Sequence, residues 1–205
     1  MKRVLFIITL LSFCCGAADA QGFHNGHQWV DLGLPSGLKW ATCNVGAYNP
    51  EDLGDYYAWG EIATKDSYTE STSASYGSSD SKWKNIGGDS EYDAARANWG
   101  GSWRMPTKAE FQELIDNCTW TWTTQNGHKG NEVMGRNGYS IFLPAAGVRC
   151  VDWLYYDGEH GFYWSSTPDE SDTDCAYVLY FSEGFWNVEW KYCYYGHSVR
   201  PVLED

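Results

Sequence analysis

The chain has 205 residues, with 14 Lys and Arg against 27 Asp and Glu and a formal net charge of −13. Such an acidic balance repels phosphate backbones and anionic bilayer surfaces, which excludes nucleic acid as a partner. The length suits one domain able to bury a core without covalent staples.

The chain opens "MKRVLFIITLLSFCCGAADAQG", in which Lys2 and Arg3 form a positive end, Val4 to Phe13 an apolar run, and Ala18, Asp19 and Ala20 a small-x-small cleavage site. Residues 1–20 are therefore predicted to be a secretory signal peptide, followed by a single ligand-binding domain over 21–205. The apolar run is far shorter than the roughly 20 residues that span a bilayer, and no later segment reaches that length. An exported protein follows, secreted or held in the periplasm or at the cell surface. Leu11 and Ser12 suit a bacterial lipobox, but Phe13 is too bulky for the position before the cysteine, which argues against a lipid anchor on Cys14.

Five cysteines remain beyond the leader, namely Cys43, Cys118, Cys150, Cys175 and Cys193. Their number is odd, and no Cys-x-x-Cys pair suggests a zinc or redox motif. His24 and His27 lie three apart, a spacing a metal could use. No Cys, Asp or further His clusters with them, so a flexible terminus is the plainer reading.

Residues 27–62 alternate short apolar stretches with Gly, Pro and Asn, the pattern of short strands and tight turns. From Thr64 to Ser81 the chain is mostly Ser, Thr, Asp, Gly and Tyr without periodicity, and segment 64–81 reads as a mobile surface loop. Two helices are expected next. Asp89 or Ser90 caps the first, which contains Ala94, Ala95 and Ala97 and stops at Gly100 and Gly101. The second, "TKAEFQELIDNC", begins with the capping box Thr107 and Glu110 and carries an apolar face of Phe111, Leu114, Ile115 and Cys118. Strands are expected at 119–122, 139–147, 162–167, 176–181 and 197–202. Two helices followed by strands make an α+β domain.

Several enzyme signatures do not occur: no phosphate-cradling glycine loop, no His-Glu-x-x-His helix and no Gly-x-Ser-x-Gly elbow. The acidic stretch of Asp169, Glu170, Asp172 and Asp174 lacks the glycine and terminal Glu of a calcium loop and reads as solvated. Glu159 beside His160 is poorly placed for acid-base work, since adjacent side chains rarely converge. No cofactor, metal or catalytic residue is expected. Trp29, Trp40, Trp99, Trp103, Trp120 and Trp164 sit inside predicted elements and read as core. The stretch "EGFWNVEWKYCYYGH" at 183–197 interleaves six aromatic rings with charged residues. It reads as an exposed recognition surface, with the buried alternative left beside it.

The segments "VDLGLPSGLKWATCNVGA", "ANWGGSWRMPTKAEFQELIDNCTWTW", "NGYSIFLPAAGVR", "YWSST" and "SVRPV" resemble the Fibrobacter succinogenes major paralogous domain family, over about Gly26 to Val202. That resemblance implies a C-type-lectin-like fold, with two helices, a small mostly antiparallel sheet and long irregular loops that bind ligands. The calcium-binding triplets of sugar-binding lectins do not occur, and Val188 after Trp186 and Asn187 breaks the Trp-Asn-Asp motif. Formylglycine-generating enzymes share the "GGSW" at Gly100 to Trp103, but their reactive cysteine pair has no convincing match.

The C-terminal third also resembles the variable region of proteins diversified by retroelements. The exchangeable positions would be Asp157, His160, Phe162, Asp169, Asp172, Asp174, Cys175, Val178, Cys193, Tyr194, Tyr195 and His197, within a variable region of 148–197. The resemblance thus implies a non-catalytic, surface-displayed binding protein or adhesin for an unknown protein or glycan. Its ligand-binding residues would be Tyr155, Asp157, His160, Phe162, Asp169, Asp172, Asp174, Phe185, Trp186, Glu189, Trp190, Tyr192, Tyr194, Tyr195 and His197. A calcium-independent carbohydrate-binding module and a formylglycine-generating-enzyme relative remain as alternatives. Cys43 and Cys118, both in framework segments, are expected to form a disulfide, and the oligomeric state is open.

Overall fold

The computed structural model describes residues 20–203, so the expected signal peptide and Cys14 lie outside the described residues, Ala20 apart. In chain order the elements begin with β1 (Gln21–His24), β2 (His27–Asp31), β3 (Lys39–Ala41), α1 (Ala94–Trp99), β4 (Trp103–Arg104) and α2 (Lys108–Asn117). Next come β5 (Thr119–Gln125), β6 (His128–Met134), β7 (Ser140–Pro144), β8 (Val148–Cys150) and β9 (Trp153–Tyr155). The last four are β10 (Gly161–Pro168), β11 (Cys175–Ser182), β12 (Phe185–Tyr192) and β13 (Val202–Leu203).

These strands form four antiparallel sheets, ordered β1-β2-β3-β13-β4, β5-β6-β7, β8-β9 and β10-β11-β12. The fold is mostly β, about 39% strand against 12% helix, which corrects the expectation of an α+β, two-helix, C-type-lectin-like domain. Two physical causes account for the difference. Gly100 (φ 65°) and Gly101 (φ 59°) stop α1 after six residues, leaving α2 as the one helix of ordinary length among the described residues. Segments 128–134 and 185–192, where no strand was expected, are half-exposed strands, with Lys129 and Asn187 toward water and Asn131 buried.

The central sheet is buried on both faces because its residues alternate. Val30, Trp40 and Val202 share one face and pack with Phe111 and Leu114 of α2. Ala41, Trp103 and Leu203 share the other and pack with Ala94, Ala95 and Trp99 of α1. Strands β10 and β11 serve both cores in the same manner, with Tyr163, Leu179 and Phe181 toward the second and Trp164, Ala176 and Val178 toward the first. The rings expected in the core are there, Trp29 being partly buried.

The Thr107 capping box is present: the Thr107 hydroxyl accepts from Glu110 N–H at 3.2 Å, and Thr107 N–H donates to Glu110 Oε2 at 2.6 Å. Arg104 grips the same carboxylate through both terminal nitrogens, at 2.6 and 2.9 Å. Burial pushes the Glu110 pKa up, but Arg104 and Thr107 outweigh it and hold the carboxyl below its ordinary range. The cap of α1 is Asp93 rather than Asp89 or Ser90. Its buried carboxylate accepts from the N–H groups of Ala95 and Arg96 and also from those of Gly88 and Met105.

Three further expectations are corrected. His24 and His27 flank the Asn25-Gly26 turn of the β1–β2 hairpin; His24 Nε2 accepts from Ser102 N–H at 2.9 Å, and His27 stacks on Trp99 at 3.7 Å, so neither belongs to a loose end. Segment 64–81 is tied down, since Tyr68 is buried, pairs with the Val151 backbone and donates to Tyr56 O, while Ser75 donates to Trp59 O. Cys43 and Cys118 are free thiols that pack on opposite cores, Cys43 on the first and Cys118 on the second, and form no disulfide.

Arg200, inside "SVRPV", is fully buried and every acceptor it meets is a neutral oxygen. Nε donates to Asn44 Oδ1 at 2.8 Å, one terminal nitrogen to the carbonyls of Ala41 (3.0 Å) and Thr42 (2.7 Å), and the other to Phe142 O at 3.0 Å. A lysine ammonium cannot reproduce that planar fork. Arg200→Lys is therefore expected to lower the free energy of unfolding by about 3 kcal/mol in urea titrations. A loss below about 1 kcal/mol would show that the fork is dispensable.

Candidate functional site

The β11–β12 hairpin turns at Glu183-Gly184, with Gly184 at φ 73°, and leaves β12 as the edge of its sheet. The register puts Phe162, Tyr180 and Asn187 in one row across the sheet, with Glu189 opposite Val178 and Lys191 opposite Ala176 on the same face. Lys191 Nζ stands 2.5 Å from Glu189 Oε1 and 5.7 and 5.8 Å from the ring centres of Phe162 and Tyr180. The sheet thus presents a half-exposed ion pair laid over aromatic rings.

Facing this sheet stands the β8–β9 hairpin, in which Val148 pairs with Tyr155 and Cys150 with Trp153. Between the two lies a cleft of about 620 Å³. Val148, Cys150, Tyr155 and Tyr156 form one wall, Glu189, Trp190, Lys191 and Tyr192 the other, and Phe162, Tyr195 and His197 the base. Tyr155 (44%), Tyr156 (54%), Trp190 (52%) and Tyr192 (37%) remain exposed around it. Two residues of the hairpin wall hold strained backbone, Val151 at φ 55° and Tyr156 at φ 62°. Left-handed geometry at a β-branched and at an aromatic residue costs on the order of 1–3 kcal/mol each and concentrates at functional sites.

His197 is fully buried at the base, stacked on Phe162 (5.2 Å, 16°) and close to Trp164 (4.5 Å), and neither ring nitrogen has a hydrogen-bond partner. Desolvation first, and the Lys191 charge second, lower its pKa well below the ordinary histidine value, so the ring is neutral. Burial likewise pushes the Cys150 thiol up, away from thiolate chemistry.

Of the residues expected from sequence, the cleft gathers Tyr155, Phe162, Glu189, Trp190, Tyr192, Tyr195 and His197. His160 sits beside it, its Nδ1 2.9 Å from the Tyr180 hydroxyl. Tyr194 stacks behind Tyr192 at 5.5 Å and meets Tyr76 edge to face at 5.1 Å, where burial raises its pKa. The other six lie elsewhere. Trp186 is on the back of the sheet, stacked on Trp120 at 5.6 Å against the second core. Phe185 stands at the far end of β12 near Tyr180. Asp157 lines a separate depression with His128 and Lys129.

Of the three remaining aspartates, Asp169 and Asp172 shape turns and Asp174 ties down the 64–81 segment. Asp169 accepts from Ser171 N–H, Asp172 from Asp174 N–H, and Asp174 from Gly77 N–H. Among the positions marked as exchangeable, Phe162, Cys175, Val178, Cys193 and His197 are buried and belong to the frame. Sequence reasoning missed Val148, Cys150, Tyr156 and Lys191. The Glu189-x-Lys191 spacing, which sets both charges on one face of a strand, was the available signal for the last of these.

The cleft lining offers one carboxylate, already engaged by Lys191, whereas glycoside hydrolysis takes two. The arrangement can hold a ligand by ring stacking and charge-assisted hydrogen bonds. Among the described residues no group of three or more His, Cys, Asp or Glu side chains is arranged to hold a metal, and no helix is long and apolar enough to cross a membrane. Compared with known proteins, the chain matches no family model, no curated protein and no solved structure.

The neutral, buried His197 has a consequence for pH. Its folded-state pKa is depressed, so below pH of about 6.5 the unfolded chain binds a proton that the native chain refuses. Stability should fall between pH 6.5 and 5 by up to about 1.4 kcal/mol per unit, before the carboxylates titrate. Urea titrations across that range should show the slope in the parent protein and its loss in His197→Phe. An unchanged slope in the variant would assign it to other groups.

Proposed function

We propose that this chain is a non-catalytic binding protein, exported or displayed at the cell surface, that holds its ligand in the cleft between the β8–β9 hairpin and β12. The observation that carries this reading is the contrast between two sets of rings. Trp40, Trp103 and Trp164 are fully buried, while Tyr155, Tyr156, Trp190 and Tyr192 converge around one concave site and stay exposed. An apolar surface kept in water beside strained backbone is costly unless something covers it. Tyr and Trp also give large contact area at low conformational entropy.

Retroelement diversification, as implied by the resemblance of the C-terminal third, is proposed only for exposed positions such as Asp157 and Asp172. Random exchange at Val178 or Cys193 would enter the core. The formylglycine-generating-enzyme alternative has less support. Desolvation raises the Cys150, Cys175 and Cys193 pKa values, that of Cys175 to about 12, against the thiolate such chemistry uses.

The test pairs two tryptophans of β12. Trp190→Ala is expected to change stability by less than about 1 kcal/mol and to abolish capture of any ligand selected from a glycan array or a displayed peptide library. Trp186→Ala is expected to lose about 3 kcal/mol of stability while keeping capture at temperatures where it stays folded. A Trp190→Ala protein that binds as the parent does would remove the cleft as the ligand site.

A further inference from the structure

The chemistry of the cleft points past ligand binding in general to a class of ligand, an inference that rests on reading the cleft as the binding site. Its walls are aromatic and its centre is polar. Glu189 and Lys191, 2.5 Å apart and each about a third exposed, set an acceptor and a donor side by side. Tyr155, Tyr156 and Tyr192 line the same opening and remain exposed, so their hydroxyls add donors and acceptors at its edge.

From this we infer that the cleft takes a neutral saccharide. A sugar ring has an apolar C–H face that can lie on Trp190 or Tyr155, and an equatorial girdle of hydroxyls, each both donor and acceptor. Two adjacent hydroxyls match the Glu189–Lys191 pair, one donating to the carboxylate and the other accepting from the ammonium, with charge-assisted strength. A ligand that lacks such groups would take water from the pair and return no hydrogen bonds.

Two competing ligands fit less well. A proline-rich peptide also docks between aromatic rings, but its apolar ridge would strip water from the ion pair and return no hydrogen bonds. An anionic saccharide would meet a chain of net charge −13, and the one cleft cation, Lys191, is already neutralised by Glu189.

The experiment uses the full chain on an array carrying neutral plant, fungal and bacterial oligosaccharides together with uronate-bearing and sulfated ones. A twelve-residue displayed peptide library is screened in parallel, both with a chelator present. The expected result is binding to at least one neutral oligosaccharide that persists in chelator and changes little between low and high salt. It should weaken at least tenfold in Trp190→Ala and about ten- to a hundredfold in Glu189→Gln, the latter with an unshifted melting transition. Peptides captured in a Trp190-dependent manner with no glycan bound would overturn the saccharide and leave the binding reading standing. Binding confined to anionic glycans would overturn neutrality, and no capture in either screen would sink both readings.

Discussion

The buried guanidinium of Arg200 is the constraint on which the rest of this fold depends. Taking a cation out of water costs several kcal/mol, and here no carboxylate offsets it; four neutral oxygens do. Those oxygens come from β3 and the chain just after it, from Asn44, and from β7. The fork therefore closes only when these segments and the C-terminal segment are all in place. Asn44 extends the network by donating to Leu53 O at 2.9 Å and to the Tyr163 hydroxyl at 3.4 Å, and Tyr163 in turn donates to Pro144 O at 2.6 Å. Leaving any one acceptor out would strand a buried charge, so the interaction specifies one arrangement of the chain more than it adds net stability.

Residues 196–201 act as a spine between the sheets because of that anchor. Gly196 exchanges backbone hydrogen bonds with Arg149 of β8, His197 with Tyr57, and Ser198 bonds to Phe162 and Trp164 of β10 on either side. Val199 and Pro201 offer their carbonyls to Val45 and Ala41. Reciprocal indole bonds, Trp59 to Ser165 O and Trp164 to Tyr57 O, lock the adjoining segment to β10. The spine thus fixes both walls of the cleft, β8 directly and β12 through β10 and β11, while the rim rings contribute little to either core. Stability and recognition are carried by different side chains of one strand: Trp186 is covered by Trp120 and the second core, while Trp190, four residues on, stays exposed.

Much of the frame was legible in the sequence, and the reason is local. The Thr107–Glu110 box, the apolar face of α2 and the strands around "IFLP", "FYWSST" and "AYVLYF" each carry a short-range signal that tertiary structure did not override. The architecture was not legible. It depends on which strands pair, and β13 is only two residues long, its neighbours bonding irregularly on both sides. The β12 stretch was recognised as aromatic and exposed, but no strand was expected there, so the period of two that sets Glu189 and Lys191 on one face went unread. Trp186 and Trp190 share one face of the strand, and only the cover that Trp120 and the second core give Trp186 separates them, which no local pattern shows; Lys191 was overlooked. Asp169, Asp172 and Asp174 looked like ligands because turn-capping and ligand-binding aspartates have the same composition, and only hydrogen-bond partners tell them apart.

The central claim is that an Arg200-anchored frame carries a cleft whose rim is energetically separate from it. A protease-resistance scan of every single substitution at residues 148–197 and at Arg200 measures this in one experiment. The account expects intolerance at Phe162, Trp164, Trp186, His197 for charged replacements, and Arg200, with broad tolerance at Tyr155, Tyr156, Glu189, Trp190 and Tyr192. Unfolding on replacement of the rim residues, at levels matching those of Trp164, would contradict it and return those rings to the core.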